Sequence, residues 1–220
     1  MKRRPPPEQI KDRIVQTAGE VFGRYGFHGT TIRQITQQAG VNVAAVNYYF
    51  RDKAELYVRV LREAKCWTRD VAISELSGPP EERLRSFILA FVRNLLNPER
   101  PLWHVQVITQ EMLHPTPALE VLLRELTEPI FRQVRSLVAE IAGKKLSRLQ
   151  LDLLASSILG QCLFYVRSRP MIERLAPELS GGAHRIDRIA GHIASFSLAA
   201  MRDLFGKKNQ PARSRATSRP

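Results

Sequence analysis

The chain has 220 residues, 44% hydrophobic and 25% charged, which is an ordinary globular composition with enough length to bury a core. Its formal net charge of +13 is concentrated at the ends: the excess is +6 over residues 1–65, +2 over 66–206 and +5 over 207–220. A basic end joined to a nearly neutral body points to a polyanion-binding module attached to something else. The two cysteines, Cys66 and Cys162, lie far apart in helical patterns and give no disulfide framework or zinc spacing. The best apolar run, Leu153 to Val166, is interrupted by Ser156, Ser157 and Gln161, so no membrane partner is expected. The basic N-terminus lacks a following apolar segment, and a cytoplasmic location is expected.

Apolar residues recur at helical spacing along the whole chain, and an all-α fold is expected. The spacing of Ile10, Ile14, Ala18, Val21, Phe22 and Tyr25 on one stripe predicts a first helix from about Pro7 to Tyr25, stopped by Gly26. Thr31 and Gln34 form a capping box for a short second helix, and Gly40 can take the left-handed turn that follows. Asn42 caps a third helix through Phe50. Asp52 and Glu55 open a longer one to about Thr68.

Gly78, Pro79 and Pro80 break the pattern before an amphipathic helix from Glu81 to Leu96. Another begins near Pro101 and ends near His114. Residues 117–142 read as one helix kinked at Pro129. Two last helices, about Ser147 to Ser168 and His184 to Phe205, flank an expected loop containing Pro170, Pro177 and Gly181. Both are apolar on nearly every side and so need partners beyond their own core. A homodimer interface is expected there, through Leu151, Ala155, Ile158, Gly160, Cys162, Ile189, Ile193, Phe196 and Met201. Residues 207–220 read as a basic disordered tail.

Residues 31–50 have the layout of a helix-turn-helix. On a wheel of 100° per residue, Val43, Val46 and Phe50 face inward, with Tyr49 at their margin, while Ala44, Ala45, Asn47 and Tyr48 face out. Small residues let a helix approach base edges closely, an Asn side chain can pair with adenine, and a phenol can reach a phosphate. Lys53 stands in the first turn of a helix, where a cation opposes the macrodipole and a bound phosphate would reverse the penalty.

The segment FHGTTIRQITQQAGVNVAAVNYYFRDKAEL closely resembles the DNA-binding domain of TetR-family transcriptional regulators. It has the Thr-Thr start, the Ala-Gly-Val turn, a Tyr-Phe end and the following Lys, and the resemblance spans residues 10–56. It departs from the family pattern at Asn42, where Ser or Thr is usual, at Ala44, where Gly is common, and at Asn47, where the first Tyr is expected. By resemblance, Thr30 and Thr31 would touch phosphate, Val43 to Ala45 would lie against bases, Tyr48 and Tyr49 would hold phosphates and Lys53 would clamp another; Arg33 and Asn42 belong to the same DNA-facing set. The run VNVAAVNYYF is similar to a subgroup linked to drug and toxic-compound sensitivity.

The resemblance implies a DNA-binding domain at 1–52, an effector-binding and dimerisation domain at 53–206, and a dimeric repressor of a near-palindromic operator in double-stranded DNA. A small-molecule effector, apolar or aromatic, would release it. Candidate effector-binding residues are Trp67, Phe87, Phe91, Trp103, Gln110, Met112, Phe131, Gln161, Phe164 and Tyr165. A sequence-tolerant architectural DNA binder is the alternative, suggested by the basic ends. Glu111 and His114 have the spacing of one half of a di-iron site, but the sequence has no second copy. No phosphate loop, nucleophile with its base, or metal cluster is recognisable, so neither an enzyme nor a cofactor is expected.

Overall fold

The computed structural model describes residues 6–64 and 76–206, and among these there are helices and no strands. In chain order the helices are α1 (Pro7–Tyr25), α2 (Ile32–Ala39), α3 (Val43–Tyr49), α4 (Lys53–Ala64), α5 (Pro80–Leu95), α6 (Trp103–Leu113), α7 (Leu119–Leu122), α8 (Glu128–Ala142), α9 (Arg148–Arg167), α10 (Arg169–Leu175), α11 (Pro177–Ser180) and α12 (Arg185–Gly206). The expected continuation of α4 to Thr68, the basic tail, and the candidates Cys66 and Trp67 lie outside the described residues.

The described residues divide into two compact units: residues 6–64 with 93–133, and residues 76–92 with 134–206. The first unit is built on α1. Ile14, Val15, Ala18, Val21 and Phe22 are buried along one stripe of it, and Ile35, Val46, Leu56, Tyr57 and Val60 of α2, α3 and α4 are buried with them. Phe22 meets the edge of Tyr57 at 4.8 Å between ring centroids, and Phe27 lies 5.0 Å from the same ring. Phe22 and Tyr57, both fully buried, each remove enough apolar surface from water to contribute about 1.5–3 kcal/mol.

A second face of α1 is glycine. Gly19 and Gly23 lie one turn apart on the side that meets α6, and a methyl group added at Gly19 would stand 2.4 Å from the indole of Trp103. At Gly23 it would stand 3.1 Å from Gln106. The absent side chains form a groove that admits Trp103, which is 3% exposed and donates its indole N–H to Gln16 Oε1 at 3.2 Å. Glycine in a helix interior costs about 0.8–1.0 kcal/mol relative to alanine, so close approach is what these positions gain. This packing is why residues 93–133 cluster with the helix-turn-helix, where the sequence had placed a boundary at residue 52.

The second unit buries Leu84, Phe87, Ile88, Leu137, Ile158 and Ile193 from α5, α8, α9 and α12. Ion pairs Arg83–Glu140 (2.6 Å) and Arg202–Glu81 (2.6 Å) cross between helices at its rim. By length and composition α9 could cross a membrane, with a mean hydropathy of 1.4. Its buried residues Ala155, Ile158, Leu159 and Cys162 face a core, and it packs against α12.

Two local expectations change. The kink expected at Pro129 takes the form of a π-helical turn at Leu123–Thr127, just ahead of the proline. Proline has no N–H for the carbonyl four residues earlier, and a widened turn absorbs the lost bond. The loop expected between the last long helices is instead two short helices, α10 and α11. Pro170 and Pro177 occupy their first turns, where the missing N–H would be unpaired in any case.

Candidate nucleic-acid interface

The turn between α2 and α3 is set by its caps. Thr31 Oγ1 accepts from Gln34 N at 3.2 Å while Gln34 Oε1 accepts from Thr31 N at 2.7 Å, a reciprocal box that starts α2. Gly40 ends α2 at φ 63° and ψ 39°, a left-handed conformation that favours glycine. Asn42 Oδ1 then accepts from Ala44 N at 3.0 Å and starts α3. Val46 and Phe50, one turn apart, are buried and anchor α3. Tyr48, at 82% exposed, projects furthest from it, with Ala44 and Asn47 also exposed and Tyr49 half-buried edge-on to Tyr48. α3 carries neither acidic nor basic side chains in its end turns.

Several sequence expectations are corrected here. Val43 is 43% exposed rather than inward, because α3 is only 7 residues long and its contact needs just Val46 and Phe50. Ala45 is half-buried rather than fully outward. Thr30 is 1% exposed, and its hydroxyl donates to Gly26 O at 2.7 Å, so it closes the turn after α1 and offers nothing to a phosphate. Thr31, Arg33 and Asn42 are exposed.

Lys53 is not a free cation. Its ammonium donates to Phe27 O at 3.0 Å and Thr30 O at 2.9 Å, and it lies 4.3 Å from the centre of the Phe27 ring. Two carbonyls and a ring face thus offset the unfavourable helix dipole that had been assigned to a phosphate. The start of α4 is thereby fastened to the turn that leads into α2. Asp52 Oδ1 accepts from Glu55 N at 2.8 Å as expected, but the Glu55 carboxylate turns to Arg51, at 3.3 Å from its backbone N and 3.1 Å from its Nε.

α6 carries a group that sequence reasoning had placed in a metal alternative. Glu111 is 0% exposed and carries no nearby cation in its hydrogen bonding: it accepts from Thr116 N at 2.8 Å, from Thr116 Oγ1 and from the phenol of Tyr57. Burial, then the charge of Glu111 and its hydrogen bond, hold the Tyr57 phenol well above its ordinary 10.0. Glu111 therefore ties α6 to α4. His114 is exposed, and no metal-binding cluster occurs among the described residues. His104, also on α6, has both ring nitrogens buried without a hydrogen-bond partner among the described residues, and burial, then the charge of Arg100, lowers its pKa below 6.5 against the opposing pull of Glu63.

The candidate effector residues are dispersed. Phe87 and Phe91 stack at 5.5 Å inside the second core, and Trp103 is wedged on α1. Met112 is 46% and Phe164 47% exposed; Gln110, Phe131, Gln161 and Tyr165 are half-buried. Gln161 Nε2 donates to Ser157 O at 3.1 Å. Packing thus accounts for the buried aromatics, and Met112 and Phe164 belong to the surface.

The interface residues are corrected likewise. Ala155, Ile158, Cys162, Ile189, Ile193 and Met201 are buried within the chain, where α9 meets α12, so they cannot face a second copy; Leu151 is half-buried. Burial pushes the Cys162 thiol up to about 12. Gly160 and Phe196 of the expected set are exposed, and the exposed apolar stripe runs through them together with Leu149, Leu153 and Phe164 of α9 and Leu204 of α12. On α9 it lies opposite the buried residues, on α12 Phe196 and Leu204 border the buried Ile189, Ile193 and Met201, and space is open above Gly160.

Comparison with known proteins supplies the family. Residues 14–60 match the model of bacterial regulatory proteins of the tetR family, and residues 80–201, more than half the chain, match the C-terminal domain of the HTH-type transcriptional dual regulator CecR. The chain belongs to the TetR family. The CecR of Shigella flexneri is 28% identical over 174 residues, covering 72% of this chain and 76% of that protein. RutR of Escherichia coli strain K12 is 43% identical over 53 residues, only 24% of this chain and 25% of RutR, so this likeness belongs to the helix-turn-helix alone.

Among solved structures, a TetR-like regulator from Rhodococcus sp. RHA1 superposes with a TM-score of 0.66 at 16% identity, over 93% of this chain and 100% of that one. AibR, solved in complex with isovaleryl coenzyme A and operator DNA, superposes with a TM-score of 0.65 at 16% identity, over 85% and 97%. At such identities these neighbours establish the shared fold. As a TetR-family protein the chain is a DNA-binding transcriptional regulator and not an enzyme.

Proposed function

We propose that this TetR-family regulator binds a near-palindromic operator as a homodimer, acts mainly as a repressor in the cytoplasm, and is released by a small apolar or aromatic effector. The observation that carries this reading is the outward surface of α3, where Val43, Ala44, Asn47 and Tyr48 are exposed on a helix fixed at both ends. Asn47 would read an adenine edge, Val43 and Ala44 would allow close approach to the groove floor, and Tyr48, Thr31 and Arg33 would meet backbone phosphates. Tyr49 and Asn42 lie at the margin of the same surface. Lys53 would act indirectly, by holding the turn before α2.

A dimer presents two such helices to successive major grooves only if they stand about 34–36 Å apart. The exposed stripe on α9 and α12 supports pairing with a second copy, since an apolar stripe with open space above a glycine suits helix against helix. AibR, with its acyl-CoA and operator, supports a ligand-linked mechanism. CecR is named a dual regulator, which favours a second reading in which the same protein activates at some promoters.

Selection of binding sites from random duplexes at two salt concentrations, with sedimentation of the selected complex, tests the proposal. It expects an inverted repeat bound by two chains. A steep salt dependence with no preference among sequences would establish the architectural alternative instead.

A further inference from the structure

We propose that the cleft between α1, the end of α2 and the start of α6 binds a small amphiphilic monocarboxylate. The cleft has a volume of about 310 Å³, at the lower end of the roughly 300–1,000 Å³ in which proteins hold small organic ligands. Glu20, Arg24 and Tyr25 of α1 form one wall, Gln38 of α2 closes one end, and Leu102 and Trp103 form the facing wall. The base is rigid, because Trp103 is packed on Gly19 and hydrogen-bonded to Gln16.

The lining divides into an apolar part and one available cation. Leu102 is 68% and Tyr25 52% exposed, so two large apolar side chains face water beside the cleft, where a ring or short alkyl body would cover them. The Glu20 carboxylate is held by Gln38 Nε2 at 3.0 Å. Arg24 has no carboxylate partner among the described residues, and its guanidinium carbon lies 6.0 Å from the centre of the Tyr25 ring. A planar guanidinium beside an aromatic face matches a carboxylate joined to an apolar body. Glu20, one turn away on α1, disfavours a second negative charge on the ligand.

Occupancy of the cleft should change operator affinity, a consequence that rests on the DNA-binding reading, since α2 belongs to the helix-turn-helix and α1 packs against it; binding itself does not rest on that reading. Isothermal titration of the full chain, without DNA, uses phenylacetate, 2-phenylethanol and 2-phenylethylamine as probes. Saturable phenylacetate binding at least about tenfold tighter than either other probe is expected, lost about tenfold in Arg24→Gln and weakened for both phenylacetate and the alcohol in Leu102→Ser. Both substitutions are at exposed positions and should leave the melting temperature in place. In a Trp67→Phe background, Trp103 is the single indole, and its emission should shift on binding.

Absence of saturable phenylacetate binding, equal affinity for the three probes, or full binding by Arg24→Gln overturns the site. Operator affinity that is unchanged at saturating phenylacetate overturns the regulatory consequence. A protein that binds phenylacetate as described but prefers no duplex refutes the operator reading and leaves the cleft intact.

Discussion

Replacing Gly19 by alanine should destabilise the protein, although helix propensity alone says the opposite. Alanine is favoured over glycine in a helix interior by about 0.8–1.0 kcal/mol. Against this, the new methyl would stand 2.4 Å from two carbons of the Trp103 ring, inside any real carbon contact. The ring cannot swing away cheaply, being 3% exposed and tied through its N–H to Gln16. Overpacking of this kind costs about 1–3 kcal/mol, and so tight a contact belongs near the upper limit, leaving a net loss of about 1–2 kcal/mol. Urea unfolding of the full chain measures it. The companion change Trp103→Leu alone leaves a void and costs about 3 kcal/mol, yet in the Gly19→Ala background the two should partly cancel, with a coupling of at least about 1 kcal/mol. Gly19→Ala as stable as the wild type or more so, with additive double-variant energies, would refute the close seating of α1 on α6.

Asn47→Ala should cost about 1–3 kcal/mol mainly at one base pair of a selected operator, read by competition among point-substituted duplexes. Lys53→Ala should lower the unfolding midpoint by removing two charge-assisted hydrogen bonds, about 1–2 kcal/mol, with the salt slope of DNA binding unchanged; a slope reduced by about one unit would show that the ammonium meets phosphate after all. Tyr57 keeps its proton in the folded state above 10.0, where the unfolded phenol loses it, so stability should fall as pH rises past that point, and Tyr57→Phe should fall less. His104 resists protonation when folded, so the unfolded state binds the extra proton as pH drops below 6.5 and stability declines; His104→Leu should flatten this acid limb in pH-dependent melting curves.

The sequence was most legible where local chemistry decides the structure. Caps at Thr31 and Asn42 and the left-handed Gly40 all stand where side-chain spacing placed them, because each satisfies backbone groups within a few residues. Lys53 was illegible because its partners are carbonyls more than 20 residues earlier, and nothing in local spacing identifies a distant carbonyl. The stripe on α9 failed for another reason. That helix is apolar on nearly all sides, so periodicity cannot say which side meets α12 and which faces outward. Small residues at Gly19 and Gly23 were a usable signal, since two glycines one turn apart in a helix carry a propensity cost that close packing would offset.

α4 and α6 give the helix-turn-helix two attachments of different character. Along α6, Trp103 in the glycine groove fixes α1 by shape, a contact that tolerates little displacement. Along α4, a polar sequence of contacts runs from the buried Glu111 to Tyr57, whose ring meets Phe27, whose carbonyl and face in turn hold Lys53 beside Thr30. A ligand that shifts α6 relative to α4 must either stretch the Glu111 hydrogen bonds or carry Tyr57 with it. Stretching leaves a buried carboxylate short of donors, at about 1–3 kcal/mol or more, so the cheaper course is for α4 to follow and take the Phe27–Thr30 turn along. Spacing between paired recognition helices would then respond to α6 through Glu111, and Glu111→Gln, which keeps the shape but weakens the accepting charge, should loosen that response while leaving the groove contact of Trp103 in place.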